Sequence, residues 1–572
     1  MNDSTSGFAG GTVTVTMPSG ETSNRAVVMY WANEGGKLDG YTPLARFKVT
    51  GEVTEFTFTE SMVVPKGATR LLVYSQNTST GALSEEFASV ELPSGSDMKD
   101  GGEIITSFFI ISDIHIGRGD GTVSATNFKK MLEEAIALNP NGTAIFIVGD
   151  MADGGTEAQF AEMMSLHAEV MAANFKDAES YPLFLTLGNH DYPAMSNVFL
   201  QYATLPDGTH PEDTSYDFWL NGYHYIFLGS DTSSGLYANL SDETLEWLDQ
   251  KLGECRDSSR PTFVFLHQPM YNTVSGSLPG EGWHGVSNED ALRAVLSKYP
   301  EVMFFNGHTH WTMDSVGNIF EGTEELPIHI FNCASVSYLW SGFNKTGGEN
   351  LDGSQGYYIE MYDGGVFVRG RDFMSGEWIS SAQYLIEFTE SEGDGHTYEQ
   401  EIRYENGYAK EGVITYVCSA CGEGKEETAP ALFTVVGYSL CEDGQNGIAL
   451  GYKVNNEAIE AYERITGKTL SYGVFAVQKE KLSERDLFDE NGNAASGAIT
   501  ADITSYTFVS FQLKILGFED AYKDELLAMG AYVKVTDGES ISYSYLQAEA
   551  PSVGEKYSYT SYNKVSSKED TE

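Results

Sequence analysis

The stretch Phe108-Phe109-Ile110-Ile111-Ser112-Asp113-Ile114-His115 joins a short apolar run to a carboxylate and an imidazole. A continuous apolar run of this length predicts a buried strand. Similar runs recur downstream, and we predict buried strands at Ala144-Val148, Leu183-Leu187, Tyr223-Leu228, Thr262-Leu266 and Val302-Phe305. Amphipathic spacing predicts helices between them, one of which should begin at Ser287, three residues before Asp290. Strands that alternate with helices predict an α/β domain.

Polar motifs follow five of these apolar runs. They are Asp113-Ile114-His115, Gly149-Asp150, Gly188-Asn189-His190-Asp191, His267 and Gly307-His308-Thr309-His310. Because neighbouring strand ends meet at one edge of an α/β sheet, we expect these side chains to converge in space.

The side chains in these motifs are typical of a metal site. In extended backbone, the pairs Asp113/His115 and His308/His310 would each project to one side and bind one ion. A mixture of imidazole and carboxylate suits Zn, Fe or Mn better than Ca or Mg. Glycines precede Asp150, Asn189 and His308, where they permit sharp turns.

The ordered set D-x-H, G-D-x-x-D, G-N-H-D, H and G-H-x-H resembles the calcineurin-like metallophosphoesterases, from about Ile104 to Asp372. The resemblance implies an α/β (α+β) core of four layers, in which two packed mixed sheets are flanked by helices. It also implies two metal ions, Mn, Zn or Fe. Asp113, His115 and His310 would hold one ion, Asn189, His267 and His308 would hold the other, and Asp150 would bridge them.

This resemblance implies hydrolysis of a small phosphoester by a metal-bridging hydroxide, without a covalent phosphoenzyme. His190 would be the general acid, and Asp153 would orient its imidazole and raise its pKa. Gly154 and Leu187 stand where the protein phosphatases of the family carry arginine, so a phosphoprotein substrate is disfavoured. Residues 151–155 contain no tyrosine, which disfavours a purple acid phosphatase centre.

The motifs do not distinguish between several phosphoester substrates. His284, Tyr192 and Trp311 are candidates for substrate contacts because they adjoin the motifs. The alternatives are a cyclic-nucleotide or other phosphodiesterase, a nonspecific phosphomonoesterase, and a catalytically silent surface binding protein.

The regions on either side of the core have a different pattern. Alternating apolar residues predict an immunoglobulin- or fibronectin-III-like β-sandwich in residues 1–100, before a phosphoesterase domain at 101–386 and a β-rich accessory region at 387–572. Cys418 and Cys421 are interpreted as a local disulfide or as two thiols rather than as a zinc site, because a second cysteine pair is missing.

Composition limits the partners and the location. A formal net charge of -49 argues against binding to nucleic-acid polymers. No apolar run is long enough for a membrane span. The Tyr-, Gly- and Thr-rich composition favours a secreted or cell-surface protein with possible envelope contact through the flanking domains, and a cytoplasmic location is the alternative.

Overall fold

The computed structural model divides into two compact units, Met1–His396 and Thr397–Glu572. It describes residues 7–16, 25–48, 53–93, 103–119, 121–175, 181–194, 197–233, 235–254, 256–257, 259–340, 350–388, 398–405, 407–419, 422–440, 447–478, 488, 494, 498–502, 510–516, 526–538, 540–546, 558–561 and 565–566. Cys421, the proposed partner of Cys418, lies outside these residues.

The first unit begins with seven strands that form two small sheets. The strands are β1 (Thr12–Thr16), β2 (Arg25–Asn33), β3 (Gly36–Lys37), β4 (Ala45–Lys48), β5 (Val53–Thr57), β6 (Arg70–Asn77) and β7 (Leu83–Glu91). Strands β1 and β5 pair alone, while β3-β2-β6-β7 form the larger sheet with β4 beside β2. All of these pairings are antiparallel, as the alternating sequence predicts.

The central region contains two six-stranded mixed sheets. Its strands are β8 (Thr106–Ile111), β9 (Ile145–Val148), β10 (Leu183–Thr186), β11 (Tyr216–Leu220), β12 (Tyr223–Leu228), β13 (Thr262–Leu266), β14 (Val302–Asn306), β15 (Ile319–Phe320), β16 (His329–Asn332), β17 (Leu339–Trp340), β18 (Asn350–Leu351), β19 (Gln355–Tyr362), β20 (Gly365–Asp372) and β21 (Glu377–Glu387). The helices are α1 (Thr122–Leu138), α2 (Glu157–Asn174), α3 (Phe199–Tyr202), α4 (Asp242–Gly253) and α5 (Glu289–Leu296), with a 3₁₀ segment at Asn189–Ala194.

One sheet has the order β10-β9-β8-β19-β20-β21, and the other has the order β11-β12-β13-β14-β16-β15. The strands β8 to β10 are parallel, as are β12, β13, β14 and β16. Their carboxyl ends therefore meet along one edge of each sheet. This is the position at which the sequence places the polar motifs.

The two sheets pack face to face through an aromatic core. Phe146 of β9 stacks on Phe265 of β13, with ring centroids 5.3 Å apart. Helices α1 and α2 cover the outer face of the first sheet, where Phe109 and Phe128 are buried together, and α4 and α5 cover the second. These four layers confirm the predicted fold class, including the β-rich regions that flank the core.

The predicted strands agree with the observed ones to within two residues at each end. The predicted helix start at Ser287 is wrong, because α5 has Asn288 as its N-cap. The Asn288 side chain makes no capping bond there, since its amide group pairs with the backbone of Leu240 instead.

The N-terminal strands share a hydrophobic core with the central sheets. Trp31 and Leu71 lie in the same buried cluster as Phe108 and Phe265. Backbone hydrogen bonds join the two parts at β21, where Val63 N–H donates to Gln383 O (3.0 Å) and Leu385 N–H donates to Ser61 O (2.9 Å).

The second unit is β-rich, with strands β22 (Tyr398–Arg403), β23 (Gly412–Cys418), β24 (Gly424–Ala429), β25 (Phe433–Leu440), β26 (Gly447–Val454), β27 (Thr469–Gln478), β28 (Ile499–Asp502), β29 (Ser510–Leu516), β30 (Leu526–Asp537), β31 (Ser540–Leu546), β32 (Ser558–Ser561) and β33 (Val565–Ser566). Helix α6 (Asn456–Thr466) packs on them. Among the helices that the structure describes, none is long and apolar enough to cross a membrane.

Candidate metal centre

The seven predicted ligands follow the carboxyl ends of five parallel strands. Asp113 and His115 follow β8, Asp150 follows β9 and Asn189 follows β10, while His267 directly follows β13 and the His308/His310 pair follows β14. The first three strands belong to one sheet and the last two to the other. The centre is therefore built where the edges of both sheets meet.

Six of these residues form two buried clusters of possible metal ligands. The first contains Asp113, His115 and His310, and the second contains Asp150, His267 and His308. Within each cluster the ligand atoms lie within 4.8 Å of one another. This is the division into two sites that the family resemblance implies.

Asp150 lies between the two clusters. Its Oδ2 atom is 3.2 Å from His267 Nε2 and 3.6 Å from His115 Nε2. The carboxylate thus reaches a ligand of each cluster. That is the geometry expected of a bridging ligand.

The ligand backbones are not extended. Asp113, His115, His308 and His310 have φ values of 56°, 49°, 68° and 58°, and Asp150 has a φ of 54°, all in the left-handed region. The prediction that the two pairs converge through extended backbone was therefore wrong. Asp113 and His115 do reach one cluster, but His308 and His310 reach different clusters, so the expectation that this second pair binds one ion is also wrong. All four residues have a left-handed φ, which Asp and His tolerate better than bulky residues.

Two glycines are required by close approach around this centre. A Cβ atom at Gly188 would collide with the backbone nitrogen of Asp150, and one at Gly307 would collide with the Ser112 hydroxyl and the Asp113 carboxylate. These positions accept only glycine without displacement of a ligand loop.

Backbone carbonyls fix the orientation of two ligand imidazoles. His267 Nδ1 donates to Val148 O (2.7 Å), and His310 Nδ1 donates to Tyr338 O (3.1 Å). Such contacts leave Nε2 of each ring as the ligand atom. His310 Nε2 is 2.9 Å from Asp113 Oδ1, inside the first cluster.

The buried carboxylates make the centre attractive to cations. Burial lowers the pKa of His267, but Asp150 and Asp113 outweigh this effect and raise it to about 9. Burial likewise opposes a charge on His115, while Asp113, Asp153 and Asp150 raise its pKa to about 10. Burial and the neighbouring His267 lower the pKa of His308 to about 3.

The Asn189 side chain fits the role of a metal ligand. Its Oδ1 atom is buried, and no described residue donates a hydrogen bond to it. A buried, unpaired carbonyl oxygen is costly unless an unseen partner satisfies it. A cation is such a partner, and imidazole, carboxylate and amide oxygen together suit Zn, Fe or Mn.

Asp191 holds the ligand loops together. Its buried carboxylate accepts hydrogen bonds from the backbone N–H groups of Ala152 (3.0 Å), Gly188 (3.1 Å) and Met151 (3.3 Å). Burial and the nearby Asp150 raise the pKa of Asp191 to about 7, against the opposing effect of the Ala152 and Gly188 N–H groups. The sequence contains this residue in G-N-H-D, but its structural role depends on contacts that the motif does not specify.

His190 lies beside the first cluster, with its ring centroid 4.6 Å from that of His115. Its Nδ1 atom donates to the backbone carbonyl of Asp153 (2.7 Å). The Asp153 carboxylate is instead 3.2 Å from His115 Nδ1. The expected pairing is therefore corrected: Asp153 orients His190 through its carbonyl oxygen, and its carboxylate orients the ligand His115.

The three candidate substrate contacts have different environments. Tyr192 is only 4 % exposed, and its hydroxyl donates to Tyr237 O (2.7 Å), so it packs in the core rather than facing a substrate. His284 is half-buried against the Tyr271 ring (5.0 Å between centroids). Trp311 adjoins the ligand His310 and lies 6.4 Å from the ring of Trp283.

Sequence reasoning missed four residues at this centre: Arg118, Trp283, Tyr338 and Trp340. The Trp283 ring is 5.7 Å from that of His308, and the Tyr338 ring is 4.2 Å from that of His310. Arg118 lies over the Tyr338 ring at 3.8 Å. The positions of Trp283 next to His284 and of Arg118 three residues after His115 were the available signals.

Comparison with known proteins agrees with this geometry. Residues 106–312 match the family model of the calcineurin-like phosphoesterases. That range includes all seven predicted ligands and His190.

Three curated relatives are each similar to part of this chain. A 3',5'-cyclic-nucleotide phosphodiesterase of Nostoc is 23% identical over 35% of this chain and 70% of its own length. A glycerophosphodiester phosphodiesterase of Enterobacter lignolyticus is 26% identical, over 35% of this chain and 63% of its own length. A probable cyclic nucleotide phosphodiesterase of Rhodococcus erythropolis is 29% identical, over 44% of this chain and 79% of its own length.

Proposed function

Residues 106–312 form a calcineurin-like phosphoesterase domain, and from this premise we propose that the chain is a metal-dependent phosphodiesterase that hydrolyses small phosphodiesters. The observation that carries the proposal is the pair of buried ligand clusters, Asp113/His115/His310 and Asp150/His267/His308, with Asp150 reaching both. Two divalent ions held there would activate water and stabilise charge on the phosphate oxygens.

His190 is proposed to donate the proton to the leaving oxygen. The ring lies against His115 but is held from its Nδ1 side by the Asp153 carbonyl. This leaves Nε2 for a substrate. A half-buried imidazole that reaches the substrate from this position can act as a general acid.

Arg118 is proposed to bind the anionic phosphate. Its side chain is 38% exposed, it packs on Tyr338 beside His310, and its Nη1 atom is 4.0 Å from Asp153 Oδ1. A guanidinium held in this way can pair with a phosphate oxygen. It would supply a cation in a site that lacks arginine at positions 154 and 187.

Diesters are favoured over monoesters for two reasons. The three curated relatives are named as phosphodiesterases. A phosphodiester also carries less negative charge than a monoester, which is an advantage at a chain with a formal charge of -49. A nonspecific phosphomonoesterase is the second candidate.

The proposal is tested with full-length protein loaded separately with Mn, Zn or Fe. We expect bis(p-nitrophenyl) phosphate to be cleaved faster than p-nitrophenyl phosphate. His267→Ala and His310→Ala should lose metal and activity together, whereas His190→Ala should keep the metal and lose activity about 10²- to 10⁴-fold.

His210→Ala is the matched control, because the His210 imidazole donates to the carbonyl of Ala203 and belongs to none of the possible ligand clusters among the described residues. Faster cleavage of the monoester would favour the phosphomonoesterase. Absence of turnover with every metal, together with full metal content, would instead identify a silent binding protein.

A further inference from the structure

We propose that Trp283, Trp311 and Trp340 form an aromatic platform beside His308 that binds a planar aromatic ester substituent, such as a nucleobase. The inference rests on the proposed function and deepens it, since it assigns the substrate class to phosphodiesters that carry such a group. The three residues are called the tryptophan platform below.

The three indoles make edge-to-face or tilted contacts with one another beside the metal centre. Trp283 is 6.4 Å from Trp311 and 6.5 Å from Trp340, while Trp311 and Trp340 are 6.2 Å apart, all between ring centroids. The Trp283 ring is also 5.7 Å from that of His308, at an interplanar angle of 68°. A group bound on the platform would therefore adjoin a phosphate held by the second ligand cluster.

The platform is fixed to the same backbone as the metal ligands. The backbone N–H of Trp340 donates to His310 O (2.7 Å), and the backbone N–H of Thr312 donates to Trp340 O (3.1 Å). These bonds hold Trp311 and Trp340 next to each other. The backbone N–H of Trp283 donates to the carbonyl of Gly276 (2.9 Å). A side chain at Gly276 would collide with Thr309, between the two ligands of G-H-x-H.

The platform combines exposure with an unsatisfied donor. Trp283 is 38% exposed, so part of its indole surface is open to a ligand. Trp311 is only 6% exposed, and within the described residues no acceptor lies within hydrogen-bond distance of its Nε1 atom. The open stacking face therefore belongs to Trp283, and the buried Trp311 supports it from below.

The chemistry of the platform favours an aromatic group over other substituents. Every nucleobase has a π-face, and stacking on tryptophan requires no charge complementarity. A neutral stacking surface is an effective way to bind a nucleotide on a chain whose formal charge is -49. Arg118 and Tyr338 lie beside the other cluster, at His115 and His310, and are left for the phosphate.

The first test is a binding experiment that needs no turnover. Quenching of tryptophan fluorescence in the full-length protein gives the Kd of AMP and of ribose 5-phosphate, which lacks the base. We expect AMP to bind at least about 10-fold more tightly, and Trp283→Ala to remove most of this difference. Equal Kd values for the two ligands in the wild-type protein would overturn the proposal, even if the variant failed to fold. Tighter binding of ribose 5-phosphate than of AMP would also overturn the proposal.

The second test uses two diesters with the same leaving group, thymidine 5'-p-nitrophenyl phosphate and methyl p-nitrophenyl phosphate. The ratio of their kcat/KM values should fall about 10-fold in Trp283→Ala and recover in part in Trp283→Phe. Phe87→Ala, which removes an aromatic residue that is 54% exposed on β7, should leave the ratio unchanged. If the wild-type protein cleaves both esters and Trp283→Ala has the same ratio of kcat/KM values, the proposed tryptophan platform is wrong. The proposed phosphodiesterase function is then still supported. If it cleaves neither, the proposed function fails.

Discussion

At the scale of single residues, five ligands in the loops have a strained, left-handed backbone that directs their side chains into the metal centre. A left-handed conformation costs roughly 1–2 kcal/mol for a residue other than glycine. Hydrogen bonds offset part of that cost, since Asp113 N–H donates to Gly149 O (3.1 Å) and His308 N–H donates to Asp113 Oδ2 (3.0 Å). Strain of this kind is typical of functional sites, where a side chain is aimed at a ligand.

Asp191 should be essential for the shape of the ligand loops. Asp191→Ala would leave three buried N–H groups without an acceptor, and we expect a loss of about 3 kcal/mol or more in the free energy of unfolding, with weaker metal binding. Asp191→Asn keeps one acceptor oxygen and should lose less. Urea denaturation and metal content measure the two effects. Unchanged stability in Asp191→Ala would show that the loops are held by other contacts.

Arg118 should affect substrate binding more than catalysis or metal content. We expect Arg118→Ala to raise KM for bis(p-nitrophenyl) phosphate about 10-fold while metal content stays constant. Arg118→Lys should recover only part of the loss, because an ammonium cannot stack on Tyr338 as the planar guanidinium does. Steady-state kinetics decide this point. An unchanged KM in Arg118→Ala would remove the residue from the substrate site.

Site residues can be predicted from the sequence when their neighbours along the chain form a recognisable motif. Each ligand follows an apolar run and stands in an ordered motif, so all seven could be named without a structure. The contact of Arg118 with Tyr338 could not be predicted in this way, because the two residues are distant in sequence and the fold alone brings them together. The role of the Asp153 carbonyl was hidden for another reason, since motifs specify side chains only.

At the scale of secondary structure, the accuracy of prediction follows burial. Strands β12 and β13 have the predicted bounds because they are buried on both faces and most of their residues are therefore apolar. Helix α6 was missed within a region of alternating strands. Its Asn455 N-cap and the left-handed Gly467 after its last turn were available signals.

An ion pair fixes edge strand β11 to its neighbours and should make stability depend on pH. Asp217 accepts from His224 Nε2 of β12 (2.8 Å) and lies 3.3 Å from Lys251 Nζ of α4. Burial raises the pKa of Asp217, but the contacts with His224 and Lys251 outweigh this and lower it. The stabilisation is therefore present above the unfolded-state pKa of about 4 and is lost as the pH falls through the folded-state value.

Asp217→Asn should accordingly lower the free energy of unfolding by about 1–2 kcal/mol at pH 7, and by less at pH 3. Urea midpoints at the two pH values measure this difference. Glu246→Gln, at an exposed position of the same helix α4, is the control and should have little effect at either pH. A deficit in Asp217→Asn that stays constant with pH would contradict the electrostatic explanation.

At the scale of the whole molecule, the first unit depends on its N-terminal sheets. Sequence pattern suggested a separate module at residues 1–100, because alternation reveals a sheet but does not show what covers it. The structure places Met29 and Trp31 in one hydrophobic cluster with the central sheets. Burial of such side chains contributes roughly 1.5–3 kcal/mol each, so the contact is a major source of stability.

Two deletions and one substitution test this dependence. Deletion of Thr397–Glu572 should preserve the thermal unfolding and metal binding of the first unit, whereas deletion of residues 1–93 should yield protein that aggregates. Glu321→Ala is a milder probe, because its carboxylate accepts from Ser61 N–H (2.6 Å), the Ser61 hydroxyl (2.6 Å) and Glu60 N–H (3.0 Å) across the contact. It should lower the free energy of unfolding by about 2–4 kcal/mol, while Glu324→Ala, at an exposed position nearby, should change it by less than about 0.5 kcal/mol. A soluble, metal-binding protein that lacks residues 1–93 would show instead that the central sheets are stable without the N-terminal strands.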